Sequence, residues 1–279
     1  MRRLLITVVV VGALAFGGDR LWQLLSRPFG DLLNSPSCTA AAQGASFSRD
    51  PEQTGNAAII AAVADQMQLK PHLVTIALAT AMQESKLYNL SGGDRDSLGL
   101  FQQRPSMGWG TAKQIMDPAY ASKAFYDALL KLPGASNEST PVGVLAQAVQ
   151  HSADGSQGAS YTQHESEARA FASALSGESP HGLTCQIDKP KTSNPTAAAS
   201  DISTYYGRYV GTPISRGNQT TYPLTGSITQ GWAVSAYLVA KAQQYGILQV
   251  SFSSWTWTTD RGWQQSGTGS PGVEVLFAG

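Results

Sequence analysis

Apolar positions fall into three patterns along the chain: an unbroken run, then helical spacing, then short strand-like stretches. The unbroken run is Leu4 to Gly18, in which Leu4 to Phe16 has only Thr7 as a weakly polar residue. Arg2 and Arg3 precede it, and Asp19 and Arg20 end it. A basic start followed by a short apolar stretch is the pattern of a secretory signal. It falls short of the ~20 residues that a spanning helix needs. Ala13-Leu14-Ala15 is a small-x-small site at which cleavage leaves a soluble protein; uncleaved, Leu21, Trp22, Leu24 and Leu25 extend the run into an interfacial anchor. Residues 1–25 are therefore expected to be a signal peptide or an N-terminal membrane anchor. Residues 26–50, rich in Ser, Pro, Gly and Ala, read as a tether.

Helical spacing begins near Asn56, where Ile59, Ile60, Val63 and Met67 recur at three- and four-residue intervals. Pro71 opens a second helix at its first turn, with Leu73, Val74, Ala77, Leu78 and Ala81 on one face and Ile76 and Met82 widening it. This helix is expected to be largely buried, and it runs into Glu84. Residues 89–110 are a glycine-rich loop. Pro118 starts a third helix that turns Tyr120, Ala124, Phe125, Ala128 and Leu129 inward, and Val142–Val149 and His164–Leu175 read as two more. Residues 186–200 have the composition of a linker. Beyond it, Val234–Tyr245 reads as one amphipathic helix and Leu248–Thr258 and Val273–Phe277 as strands. The expected fold is thus mainly α, with a helical domain over 51–185 and a small α+β module over 201–279.

Charge narrows the function classes. The 279 residues carry 19 Lys+Arg and 19 Asp+Glu, a formal net charge of zero. No basic excess is available to neutralise phosphates, so nucleic acid is not an expected partner. Charged residues make up only 14% of the chain, against roughly 25% in ordinary soluble domains, so Ser, Thr, Gln, Asn and Gly must supply the polar surface. Cys38 and Cys185 have neither a CxxC pair nor a metal-ligand spacing. In an oxidising compartment they read as one disulfide, closing a long loop worth about 5 kcal/mol by chain entropy; two free thiols are the alternative. His72, His151, His164 and His181 show no paired spacing, so no metal and no cofactor is expected.

The stretch from Ala81 to Trp109 carries the candidate chemistry. Glu84, at the end of an apolar helix, faces a loop that contains Asp94 and Asp96. A carboxyl in an apolar pocket has a raised pKa and holds a proton at neutral pH, which a general acid for glycosidic cleavage needs. Gln102 and Gln103 offer donors and acceptors suited to sugar hydroxyls and acetamido groups.

Glu84-Ser85 followed by Gly99-Leu100-Phe101-Gln102 resembles the E-S…G-L-M-Q pattern of soluble lytic transglycosylases and goose-type lysozymes. Gly93-Asp94-Arg95 is similar to the G-D-R segment of goose-type lysozymes, and Ser97–Thr111 to lysozyme-like domains of exported actinobacterial proteins. The resemblance covers about residues 50–178 and implies a lysozyme-like helical domain acting on peptidoglycan glycan strands. It makes Glu84 the catalytic acid at the β-1,4 bond between N-acetylmuramic acid and N-acetylglucosamine. In the transglycosylase mode, Glu84 protonates the leaving oxygen and then deprotonates the muramoyl 6-hydroxyl, closing a 1,6-anhydro ring. In the hydrolytic mode a second carboxylate positions a water; Asp94 is the candidate and Asp96 the second. Ser85, Asp96, Gln102 and Gln103 become cleft residues. Tyr161 falls where a lining tyrosine occurs in transglycosylases, although Val149-Gln150-His151-Ser152 replaces the A-Y-N often seen there. The implied location is exported, in the cell wall or anchored to the membrane facing outside. A non-catalytic wall-binding or scaffold protein is the rival from another class.

Residues 231–279 faintly resemble a C-terminal module of secreted actinobacterial cell-wall proteins that is related to zinc-dependent peptidoglycan peptidases. No histidine follows His181, so a zinc peptidase site is not expected here. Four of the six tryptophans lie in this module, at 232, 255, 257 and 263. Trp255 and Trp257 alternate and share a strand face, serving either as core or as a sugar-stacking platform.

Overall fold

The computed structural model describes residues 35–42, 44–151 and 157–279. The expected signal or anchor (1–25) and residues 26–34 of the expected tether lie outside them. In chain order the elements are β1 (Ser37–Ala42), β2 (Ala45–Arg49), α1 (Pro51–Gln66), α2 (Pro71–Ser85), α3 (Ala112–Ile115), α4 (Pro118–Leu129), α5 (Val142–Gln150), α6 (Ala159–Thr162), α7 (Glu165–Leu175) and β3 (Leu183–Gln186). There follow α8 (Pro195–Tyr206), β4 (Ile214–Arg216), β5 (Gln219–Pro223), α9 (Ile228–Ala240), α10 (Ala242–Tyr245), β6 (Ile247–Thr258) and β7 (Gly262–Phe277).

Helix α2 is the centre of the helical body. Twelve of its fifteen residues are buried, and it packs against α1, α4, α5, α6 and α7. A helix apolar on nearly all sides is stable only when enclosed, and the five neighbours enclose it. Its entry is set by Pro71, which fills the first turn where no N–H partner exists. Helix α1 begins at Pro51, five residues before the apolar periodicity becomes visible, because Asp50 and Gln53 form a capping box. Gln53 N–H donates to Asp50 Oδ1 at 2.8 Å and Asp50 N–H donates to Gln53 Oε1 at 3.1 Å.

The strands correct the expected fold class. Ser37–Gly279 is a mixed α/β unit with two antiparallel sheets, ordered β2-β1-β3 and β4-β5-β7-β6, and not a mainly α protein. Residues 37–42 and 45–49, read as part of a tether, form the antiparallel strands β1 and β2. Cys38 and Ala40, and Ala45 and Phe47, alternate with Ser and Thr, but most of these apolar side chains are small and the alternation is too faint to mark a strand. Residues 195–206, whose first half fell within the expected linker, form α8, capped by Asn194. The stretch read as one helix up to Tyr245 is α9 and the short α10. Strand β7 runs for sixteen residues, well beyond the apolar Val273–Phe277, because its polar half pairs with β6 around Trp257 and Trp263.

Strand β3 joins the small sheet to the rest. Cys38 of β1 lies directly opposite Cys185 of β3, and the two form a disulfide across 147 positions of sequence. On the other side, Trp257 and Trp263 donate their indole N–H groups to the carbonyls of Cys185 (3.2 Å) and Leu183 (2.7 Å). One continuous hydrophobic cluster runs from Cys38 and Ala40 through α1, α2 and α7 to α9 and Phe277. Among the described residues no helix is long and apolar enough to cross a membrane.

The disulfide closes a loop of 147 positions, for which the chain-entropy model gives about 5 kcal/mol. Replacing both cysteines by alanine is expected to lower unfolding free energy by several kcal/mol, up to about that value. Urea denaturation of the variant, and of the parent with and without reductant, measures the difference; curves that coincide would sink the expectation.

Candidate active site

Glu84 sits in the last turn of α2, and the backbone immediately after it is held in a conformation few residues adopt. Lys86 (φ 55°) and Leu87 (φ 65°) are both left-handed, a region costly for residues with a Cβ. Lys86 N–H returns to Met82 O and Leu87 N–H to Ala81 O, which closes the helix end. Two amides of α1 accept the task of satisfying the turn's own carbonyls. Gln53 Nε2 donates to Lys86 O at 2.7 Å and the buried Asn56 Nδ2 to Leu87 O at 2.8 Å. Tyr88 adds a phenol hydrogen bond to Asp50 Oδ2, the carboxylate that caps α1. That bond raises the phenol's pKa above its ordinary value. The start of α1 therefore fixes where α2 ends.

The loop after α2 is stapled to the same end. Ser85 is buried and donates its hydroxyl to Leu100 O at 2.7 Å. Leu98 and Gln103 exchange backbone hydrogen bonds at 2.9 and 3.0 Å, closing a tight loop over Gly99–Gln102. Gln150, at the end of α5, donates to Phe101 O at 2.8 Å. Gly93 permits a close approach: a Cβ there would stand 1.7 Å from Gln102 Oε1. The Gly93-Asp94-Arg95 and Gly99–Gln102 segments thus meet through the Gln102 side chain.

Tyr161 comes to Glu84 from 77 positions away. Its hydroxyl donates to Glu84 Oε1 at 2.8 Å, and its ring is buried. The short helix α6 carries it there through a backbone crossing at Gly143 and Gly158. A Cβ on Gly143 would lie 2.2 Å from Gly158 O, and one on Gly158 2.3 Å from Gly143 O. Glu84 itself is half-buried. Beside it, Gln83 Oε1 accepts from Gln163 Nε2 at 3.1 Å and lies 3.1 Å from His164 Nε2. Burial holds the His164 imidazole pKa below its usual value. The result is one carboxyl oriented by a buried phenol, at the end of a buried helix.

The remaining sequence candidates occupy different surroundings. The Asp94 side chain is 94% exposed and lies 3.9 Å from the Arg95 guanidinium. Asp96 accepts from Arg104 Nε at 2.7 Å and from the N–H and hydroxyl of Ser106 at 2.8 and 3.0 Å. The Arg104 hydrogen bond first, then those of Ser106, hold its carboxyl well below the usual carboxylate range. Asp96 so ties down the turn at Pro105–Met107. Gln103 is buried with its amide on Ala121 O at 3.1 Å, and Trp109 packs against the core. Among the described residues, no group of three or more His, Cys, Asp or Glu is arranged to hold a metal ion. Sequence reasoning missed Gln53, Asn56 and Gln150. The only trace of the first two is amide side chains in the opening turns of an alanine-rich helix.

No protein-family model matches this chain, and no curated protein matches it either.

Removing a buried donor leaves its carbonyl partner unsatisfied, at about 1–3 kcal/mol. Asn56→Ala is expected to cost that much in chemical denaturation, and Asn56→Leu at least as much, since it fills the space without restoring the donor. Either variant matching the parent would show that Leu87 O does not depend on this amide.

Proposed function

We propose that this chain is an exported peptidoglycan-cleaving enzyme of lytic transglycosylase type, with Glu84 as its single acid–base group. One observation carries the reading: the Glu84 carboxyl, at the end of a buried helix, receives the hydroxyl of the buried Tyr161. An acid–base group must present a fixed oxygen to its proton partner within hydrogen-bond reach. The phenol supplies that fixity, and the Ser97–Gln103 loop is stapled through Ser85 to the same helix end. The order of Glu84-Ser85, Gly93-Asp94-Arg95 and Gly99–Gln102 in sequence adds the resemblance to lytic transglycosylases and goose-type lysozymes, and the packing of these segments on one another supports it.

The reaction then proceeds in two steps at one carboxyl. Protonated Glu84 gives its proton to the glycosidic oxygen as the bond from muramoyl C1 breaks, releasing the 4-hydroxyl of N-acetylglucosamine. The resulting carboxylate takes the proton of the muramoyl 6-hydroxyl as that oxygen bonds to C1, forming the 1,6-anhydro ring. Glu84 ends protonated, and no external water is consumed. The single-carboxylate mode is preferred because Asp94, the candidate second carboxylate, is almost fully exposed. A water-positioning base needs a held orientation. The disulfide between Cys38 and Cys185 supports an oxidising, external location, and the charge-poor, hydroxyl- and amide-rich composition suits a surface facing sugar polymer.

Glu84→Gln is expected to cut muropeptide release from purified sacculi by at least 10²–10⁴-fold, the usual size of an acid–base contribution, while Asp94→Asn stays within a few-fold of the parent. Mass spectrometry of the products should show 1,6-anhydromuramoyl ends. Reducing ends, with Asp94→Asn inactive, would replace the reading by hydrolysis. Retention on sacculi without products would replace it by a wall-binding role. Tyr161→Phe is expected to lower turnover about tenfold with little change in KM.

A further inference from the structure

A second site lies away from Glu84, where β1 and β3 meet the β6–β7 hairpin. A cleft of about 500 Å³ opens there, lined by Trp255, Trp263 and His181 together with Thr39, Gln186 and Arg261. The His181 and Trp255 rings stack at 4.1 Å between centroids and 30° between planes, and Trp232 packs edge-on to both His181 and Trp263. His181 has a left-handed backbone (φ 46°). That conformation persists in a residue with a Cβ only where the surroundings impose it. On the other side of His181 a more open depression of about 580 Å³ continues along Ala41 and Ala42, Gly44–Ser46 and Glu178–Pro180. Both volumes lie in the ~300–1,000 Å³ range of small-ligand sites.

The lining selects the chemistry. Trp257, the other half of the alternating pair, is fully buried in the core. Trp255 and Trp263 are only half-buried, so apolar ring area remains at the cleft. An anion is a poor occupant: Arg261 is the cation of the cleft, and Asp260 stands 3.6 Å from it. A purely apolar ligand would strand the amide of the exposed Gln186. A β-linked pyranose of gluco configuration suits both sets of groups. Its equatorial hydroxyls leave flat C–H faces for an indole and place hydroxyls around the edge for amide, hydroxyl and guanidinium partners. We infer that this cleft is a second saccharide-binding site, taking a β-linked gluco-configured oligosaccharide that crosses His181 into the neighbouring depression.

The test reads binding at this place alone. Full-length protein carrying Glu84→Gln is titrated with triacetylchitotriose, and in parallel with cellotriose, while the indole N–H resonances are followed. The expected result is that the Trp255 and Trp263 resonances shift saturably while that of Trp257 does not. Gln186→Ala, an exposed change, should weaken the apparent affinity several-fold, the size of one hydrogen bond. Trp255→Ala should abolish the titration with the Trp257 resonance in place, which shows that the core is intact. Fixed Trp255 and Trp263 resonances at millimolar saccharide would overturn the site, as would unchanged affinity in both Gln186→Ala and Trp255→Ala. Because the Glu84→Gln protein is read only for binding, failure here leaves the cleavage reading untouched, and failure of the cleavage assay leaves this one untouched.

Discussion

The constraint on which the fold turns is the termination of a buried helix. Inside a protein, the last carbonyls of a helix have no water to accept from, and each must find a donor or cost free energy. Helix α2 is enclosed on nearly all sides, and its last turn nevertheless carries the half-buried Glu84 carboxyl. The left-handed Lys86 and Leu87 turn the chain away at once, and the amides of Gln53 and Asn56 satisfy the turn. From this follow the early start of α1, its capping box, and the placement of amide groups on a face that otherwise belongs to the core. Ser85 and Gln150 extend the same logic to the next loop, each giving a donor to a carbonyl of the Gly99–Gln102 segment.

The C-terminal part shares in this packing. Helix α9 packs on α1, α7, β3 and β6, and Asp201 of α8 accepts the phenols of Tyr237 and Tyr245. Asp65, near the end of α1, accepts the Tyr209 phenol at 2.6 Å. Burial first, then the Asp65 hydrogen bond, drives that phenol's pKa well above its ordinary value. These are uncharged donors on carboxylates at the seams between elements, where a tyrosine supplies both apolar area and a hydrogen bond.

Helical elements were legible because α4, α5 and α7 bury apolar faces at a 3.6-residue period and α2 is a long apolar run opened by Pro71. Strands β1 and β2 were not, since Ser-Cys-Thr-Ala-Ala-Ala and Ala-Ser-Phe-Ser-Arg are short and alternate mostly small apolar residues with Ser and Thr. Their register comes from backbone ladders and from Cys38 facing Cys185, a pairing decided by residues distant in sequence. For the same reason the sequence underestimated β7, whose outer half is polar. Within the candidate site, Glu84 stood out by ending an apolar run, and Asp94 and Asp96 by sharing a glycine-rich loop. Nothing local separates the exposed Asp94 from Asp96, whose carboxyl is engaged by Arg104 and Ser106; only the folded loop does. Asn56 finds its carbonyl 31 positions away, and no short-range pattern announces such a partner.

The Cys38–Cys185 bond also sets the topology of damage. Every residue of the helical body, with Glu84 and Tyr161, lies on the covalent ring closed by that bond, whereas Ile187–Asn194 lies outside it. A protease that nicks an exposed loop within the ring leaves both fragments joined and the helices held in place. A nick in 187–194 severs the last part of the chain, leaving its attachment to buried packing and to the two indole bonds onto β3. The helical body thus keeps its covalent continuity through one cut, whereas a cut in the exposed connection after β3 divides the chain.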